Sequence, residues 1–426
     1  MATAVLPRFG TDERTALAGE AVRMITALRR HGATPEGGVT RLVYSPEWRA
    51  AMAELEEWFT AGGLEVRVDA VGTRLGRVEG REPGVVLTGS HVDSVVTGGA
   101  YDGILGVVMA GCAVRWLAAN AGRPAFTLEV FANCEEESSR FACNFWGARA
   151  LTGRISADEP ERLMDTNGIS IAEAMRSCGL DPGAIPGARR NDLIAYLEPH
   201  IEQGPELARS DDVVAVVEAI VGVRVLTITL AGVAGHAGTM PMTARHDALL
   251  TASEIALGAE DVARRRGAPA VATVGSLEVK PGGFNQVPGE AKLTIDFRHT
   301  EESTLDEMDA DLRSLVERVA ASRGVKARID TRLGQPGIHF DDGICKRLET
   351  ACEEAGISWR RMPSHAGHDA QLLGTICPAA MLFVPSQGGH SHRPDELTLP
   401  EHIGAGIEVL VRTLFSLAYQ ANTRRR

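Results

Sequence analysis

The chain has 426 residues, of which 44% are hydrophobic and 23% charged, and a formal net charge of -12. That length allows two or three domains and a sizeable core. The acidic balance argues against nucleic acid or an anionic membrane as a partner.

Met1 to Gly10 lacks the basic start and apolar core of a signal peptide. The longest apolar run, Ile104 to Val114, is stopped by Arg115 and is too short for a bilayer. The cysteines, at 112, 134, 143, 178, 345, 352 and 377, form neither a disulfide framework nor a paired zinc spacing. A reduced, cytoplasmic compartment is expected. Cys134 reads as a buried free thiol, and Arg424-Arg425-Arg426 as a solvated end.

Leu17, Val22, Ile25 and Leu28 recur at helical spacing, so a helix is expected over Thr11–Arg30, with a second from Pro46 to Ala61. Leu64–Val68 alternates as a strand. Strand Gly84–Thr88, helix Ile104–Ala119 and strand Phe126–Phe131 follow, an order that favours an α/β sheet. Residues 153–191 read as loops and short helices. Another strand-like run, Ala195 to Leu197, leads to His200.

From about Val213 the pattern becomes β-α-β-β-α-β: strand Val221–Leu230, helix Thr243–Arg266, strands Ala270–Val279 and Gly289–Arg298, helix Glu301–Ser322, strand Val325–Leu333. This is a split ferredoxin-like unit that can stand alone. Three segments are expected: 1–212 and 333–426 as two parts of one α/β domain, with 213–332 inserted. The second part carries helix Asp342–Ala355, strand Ala379–Val384, loop Pro385–Pro394 and helix Pro400–Ala421.

In open α/β sheets ligands collect beyond the carboxyl ends of strands, and there the chemistry-bearing residues fall. His91 offers an imidazole nitrogen to a metal, and Asp93 can hold its other ring nitrogen. Asp102, brought back by a glycine-rich turn, can bridge two ions. Three consecutive carboxylates, Glu135-Glu136-Glu137, close the next strand and are costly to keep together without a cation. His200 repeats the strand-end placement of His91. A metal pair acting on an amide needs about five protein ligands, a shared carboxylate and a free base. A glutamate of the acidic run and a histidine of Gly388-Gly389-His390-Ser391-His392 complete the set. The expectation is a two-metal amidohydrolase.

These motifs resemble the M20 metallopeptidase superfamily, and within it the hydantoinase/carbamoylase amidases, over nearly the whole chain. The resemblance rests on Gly89 to Ser94, Tyr101-Asp102-Gly103, Glu135 to Phe141, His200 to Pro205, His236-Ala237-Gly238, Asp296 to His299, Gly367 to Ala370 and Ser391-His392. It implies a metallopeptidase-type α/β catalytic domain with an inserted ferredoxin-like lid and dimerisation domain. It further implies one ion on His91, Asp102 and His200, and another on Asp102, Glu137 and His392. Zinc is the first choice, with manganese, cobalt or nickel as alternatives. Aligned on Arg140-Phe141, Glu136 becomes the general base, with Asp93 orienting His91. His236 would polarise the scissile carbonyl in a partner subunit of a homodimer. Asn285 and Arg298 would bind a substrate carboxylate, and Gln203 the ureido group or that carboxylate.

The implied activity is cleavage of the carbamoyl C–N bond of an N-carbamoyl-L-amino acid or allantoate, with release of ammonia and carbon dioxide. An M20 dipeptidase or aminopeptidase is the alternative, and a non-catalytic metal-dependent binding protein a more distant one. Ser138, Met240, His365 and His390 depart from the family pattern. These departures bear on substrate identity rather than on the ligand set.

Overall fold

A computed structural model describes residues 5–420. The arginine tail and part of the amino-terminal stretch lie outside the described residues, as does the expected last residue of the final helix. The chain divides into two compact units. One comprises 1–218, 340–362 and 368–426, and the other 219–339 with 363–367.

In the first unit α1 (Thr11–Arg29) opens with the Glu13 carboxylate accepting the Gly10 N–H at 2.9 Å. At α2 (Pro46–Ala61) the Ser45 hydroxyl caps the Trp48 N–H and Pro46 presets the first turn. Strands β1 (Glu65–Val68), β2 (Arg74–Val78) and β3 (Glu82–His91) follow. Then come α3 (Ile104–Asn120) and β4 (Phe126–Asn133), and the short helices α4 (Trp146–Thr152), α5 (Glu159–Arg162) and α6 (Ile171–Ser177). Strands β5 (Leu193–Ile201) and β6 (Val214–Ile220) lead to the second unit.

That unit carries β7 (Gly222–Ala231), β8 (Gly235–His236), α7 (Ala248–Arg266), β9 (Val271–Lys280), β10 (Gln286–Val287), β11 (Glu290–His299), α8 (Glu302–Ser322), β12 (Lys326–Gln335) and β13 (Ile338–His339). Its four long strands pair antiparallel in the order β12-β7-β11-β9. Its own core includes Leu226, Ile228, Ile255, Leu293, Phe297 and Leu312. The chain then adds α9 (Asp342–Ala355), β14 (Trp359–Ser364), α10 (Ala370–Leu373), β15 (Ala379–Val384) and α11 (Pro400–Ala418).

The large sheet runs β1-β2-β4-β3-β5-β15-β6, with β14 also against β6. The β4–β3, β3–β5 and β5–β15 pairs are parallel. Such central strands are buried on both faces, which is why Val85-Val86-Leu87 and Ala379 to Val384 run apolar without alternation. Helix α3 is likewise apolar almost all round, packed by α1, α11, β3 and β5.

Two expectations need correction. The boundary expected after residue 212 falls after Glu218, because β6 pairs antiparallel with β15, Met381 opposite Val217. The boundary expected at 332 falls at His339, and residues 363–367 group with the second unit.

Candidate metal centre

The parallel register brings several strand ends level: His91 lies opposite Asn133, and His200 opposite Phe383. The loops that leave these ends carry the acidic run and His392. Asp102 arrives from the turn before α3. Gly103 sits at φ +65°, and a Cβ there would lie 2.3 Å from the His91 ring. Only glycine lets the Asp102 turn approach His91 this closely.

Around Asp102 the donors converge. Its Oδ1 is 3.3 Å from His200 Nε2 and 4.0 Å from His91 Nε2. Its Oδ2 is 3.0 Å from His392 Nε2, which is in turn 3.1 Å from Glu137 Oε1. Three ligand trios each fall within 4.8 Å: His91-Asp102-His200, Asp102-Glu137-His392 and His91-Glu136-Glu137. In the 387–392 loop, His390 turns away onto Asp395.

The tautomers follow from the partners. His91 Nδ1 lies 3.0 Å from the Asp93 carbonyl, and His200 Nδ1 2.9 Å from the Ile201 carbonyl. A carbonyl can only accept, so both Nδ1 atoms donate and both Nε2 atoms are left to face Asp102. Asp93 therefore holds His91 through its main chain; its side-chain Oδ1 stays 3.9 Å away. The carboxylate works on the acidic run instead, Oδ2 accepting the N–H groups of Glu136 (3.0 Å) and Glu137 (3.2 Å). Glu135, at φ +50°, turns inward and accepts the N–H groups of Arg140 and Phe141.

Charge is unbalanced at this point. Burial alone would lower His91, yet Asp93, Glu137 and Asp102 push it up to about 9. Hydrogen bonds to Asp102 and Glu137 push His392 up to about 10. Burial, and then Glu137, Asp369 and Asp93, hold the Glu136 carboxyl well above the usual carboxylate range. Asp102 goes the other way: burial opposes it, but His392, His200 and His91 hold it well below that range. Protons gather here because too many carboxylates face too few cations. His200 Nε2 is buried without a hydrogen-bond donor. Mixed imidazole and carboxylate donors at these distances fit a pair of divalent ions, and that donor chemistry suits zinc, manganese, cobalt and nickel alike.

Around the histidines lies a layer to which the motifs assigned no role. Ser90 Oγ donates to Glu198 (2.8 Å), Asn133 Nδ2 to Asp369 (2.6 Å), and the His368 ring packs edge-on against His200, centroids 4.5 Å apart. Gln203, at φ +60°, donates its amide to both Asp102 oxygens (3.2 and 3.0 Å).

His236, Asn285 and Arg298 belong to the second unit. His236 pairs with Gln286 across β8 and β10, and Asn285 joins them around an open cleft of ≈ 310 Å³. The Gly238 N–H donates to His236 Nδ1 at 3.1 Å, which leaves the proton of the neutral ring on Nε2. Arg298 donates through Nε and Nη2 to Asp296 and through Nη1 to the His365 carbonyl.

Residues 87–416 match the model of Peptidase family M20/M25/M40. The chain is 38% identical over 395 residues to an allantoate amidohydrolase of Escherichia coli (strain K12), covering 92% of this chain and 96% of that one. An N-carbamoyl-L-amino-acid amidohydrolase of Paenarthrobacter aurescens is 38% identical over 384 residues, covering 89% and 93%. A solved hydantoinase/carbamoylase family amidase from Burkholderia multivorans superposes with a TM-score of 0.89 at 34% identity, covering 94% and 98%. By its sheet, its clustered donors and these relatives, the chain belongs to peptidase family M20/M25/M40.

Proposed function

We propose that this protein hydrolyses the carbamoyl C–N bond of an N-carbamoyl-L-amino acid or of allantoate, with water as co-substrate, releasing ammonia, carbon dioxide and an amine. The observation that carries the proposal is the convergence of His91, Asp102, Glu137, His200 and His392, with Glu136 alongside them. One ion would rest on His91, Asp102 and His200, the other on Asp102, Glu137 and His392. When bound, such a pair supplies Lewis acidity and lowers the pKa of water.

The chain's own groups do the rest. Glu136 takes a proton from the attacking water and returns it to the leaving nitrogen. Asp93 fixes the main chain under Glu136 and Glu137, so the base keeps its aim. His236, with its proton on Nε2, donates to the developing oxyanion. Arg298 has five N–H donors and commits three to Asp296 and His365, which leaves two for a substrate carboxylate. Asn285 completes that pocket, and Gln203 leaves Asp102 for the ureido group or the carboxylate. The 219–339 unit serves as lid and dimerisation domain of a cytoplasmic homodimer.

The test is ammonia release from a panel of N-carbamoyl-L-amino acids, allantoate and 3-ureidopropionate. Stripped enzyme is reloaded in turn with zinc, manganese, cobalt or nickel, and dipeptides run alongside. Turnover confined to dipeptides would replace this reading with the peptidase one.

A further inference from the structure

The loop at 385–397 meets the Asp102 turn through two contacts with no role in the scheme above. One oxygen of the Glu396 carboxylate accepts the consecutive N–H groups of Tyr101 (2.8 Å) and Asp102 (2.9 Å). Ser391 Oγ donates to Asp102 Oδ2 at 3.0 Å. Glu396 is 4% exposed, and a Cβ on Gly99 would lie 2.1 Å from its Oε1. The turn is thus shaped to admit this carboxylate.

The loop is also closed on itself. The Gln387 N–H donates to the Leu397 carbonyl (2.7 Å), the Gly389 N–H to Ser386 (2.9 Å) and the Glu396 N–H to Arg393 (3.2 Å). His390 Nδ1 lies 3.0 Å from Asp395 Oδ2. Ser391, His392 and Glu396 therefore travel as one piece. His91 and His200 sit in strands and are 1% exposed. The His392 side chain is 46% exposed, on a loop residue at φ +57°. Its distance from Asp102 depends on what ties the loop to the turn.

We propose that Glu396 is a positioning residue that clasps the Asp102 turn to the His392 loop and so sets the second ion subsite, Asp102-Glu137-His392. The first subsite, His91-Asp102-His200, takes two of its three ligands from strands of the sheet and none from the His392 loop. Charge-assisted bonds to two adjacent N–H groups suit this task, because they fix the turn in both position and tilt. The inference rests on the two-ion reading above.

The experiment titrates chelator-stripped protein with Co²⁺ by calorimetry, with bound cobalt counted by elemental analysis. Wild type should take two ions per chain. Glu396→Ala should weaken the second ion about 10–100-fold and leave the first within roughly threefold. Glu396→Gln, whose amide oxygen still accepts both N–H groups, should recover most of that loss. Equal weakening of both ions, or an unchanged second ion, overturns the proposal. If Glu396→Ala fails to fold by circular dichroism, Ser391→Ala carries the test. It should weaken the second ion alone, and a uniform effect or none overturns the clasp. A wild-type chain that binds fewer than two ions overturns the two-ion reading itself.

Discussion

The proposed function gives the neighbours Glu136 and Glu137 separate duties, and the backbone between Cys134 and Ser138 is what would separate them. Glu135 and Ser138 both adopt positive φ, +50° and +54°. A non-glycine residue held there costs about 1–3 kcal/mol and persists only where its surroundings insist on it. The insistence comes from Asp93 and from the Glu135 carboxylate, which together use four N–H groups of this loop. Glycine is the residue that best tolerates such φ, so serine at 138 keeps the turn at some cost. Two outcomes follow at this scale. Glu136→Gln should retain both ions by elemental analysis while kcat falls ~10²–10⁴-fold. Unchanged turnover would remove Glu136 from the chemistry. His91 and His392 hold protons in the metal-free protein at neutral pH, with values of about 9 and 10. Zinc binding should therefore release protons, at least about two per chain, read from calorimetric heats in buffers of differing ionisation enthalpy.

Helix α3 and strand β5 locate Asp102 and His200 relative to one another. Their contact is close: a Cβ on Gly106 would lie 2.0 Å from the Pro199 carbonyl oxygen and 2.9 Å from the Ser90 Cβ. Both obstacles are on strands and cannot swing aside as a flexible side-chain end would. Gly106→Ala should push α3 off the sheet, at a cost of roughly 1–3 kcal/mol in chemical denaturation. It should also weaken ion binding, because the start of α3 carries Asp102 with it. A variant of full stability and full metal content would show that this approach is looser than the packing implies.

At the scale of the whole molecule, buried titratable groups tie stability to pH. The raised His91 and His392 lend the metal-free fold stability that is complete below the unfolded value of about 6.5 and lost as pH rises through about 9 and 10. Burial, reinforced by Asp93 and by Asp369 respectively, pushes Glu135 and Glu198 each up to about 8. Raised acids act in the same direction, since the folded state holds their protons longer than the unfolded chain does. The Tm of stripped protein should therefore fall between about pH 6 and pH 10, and the gap to the zinc-loaded protein should widen over that range. A gap that narrows would mean that these groups do not face the ions. Under the proposed function the second unit would contribute the recognition of substrate charge. Arg298→Lys keeps a cation but loses the planar fork, so KM for a carboxylate substrate should rise about 10–100-fold. Steady-state rates that show the loss in kcat alone would place Arg298 elsewhere in the cycle.

Much of this was legible before any fold was drawn. Helix α3 and strand β15 announce themselves as apolar runs, and α2 by Ser45-Pro46 and the glycines after it, because those signals are local. The donors that converge were legible as candidates too: His91, Asp102 and His200 each sit where an apolar strand or turn runs into polar residues. Strands β2, β6 and β14 escaped notice, since Arg74–Val78 and Trp359–Ser364 mix charged and apolar residues and become strands only beside a partner. Only the tertiary structure separated Glu135 from Glu136 and Glu137, turned His390 onto Asp395 and His392 onto Asp102, and brought Glu396 under Tyr101. Sequence spacing constrains a residue relative to its near neighbours along the chain. Which of several like residues enters a shared site depends on loop dihedrals and on strand register between segments far apart in sequence, and these exist only once the sheet has closed.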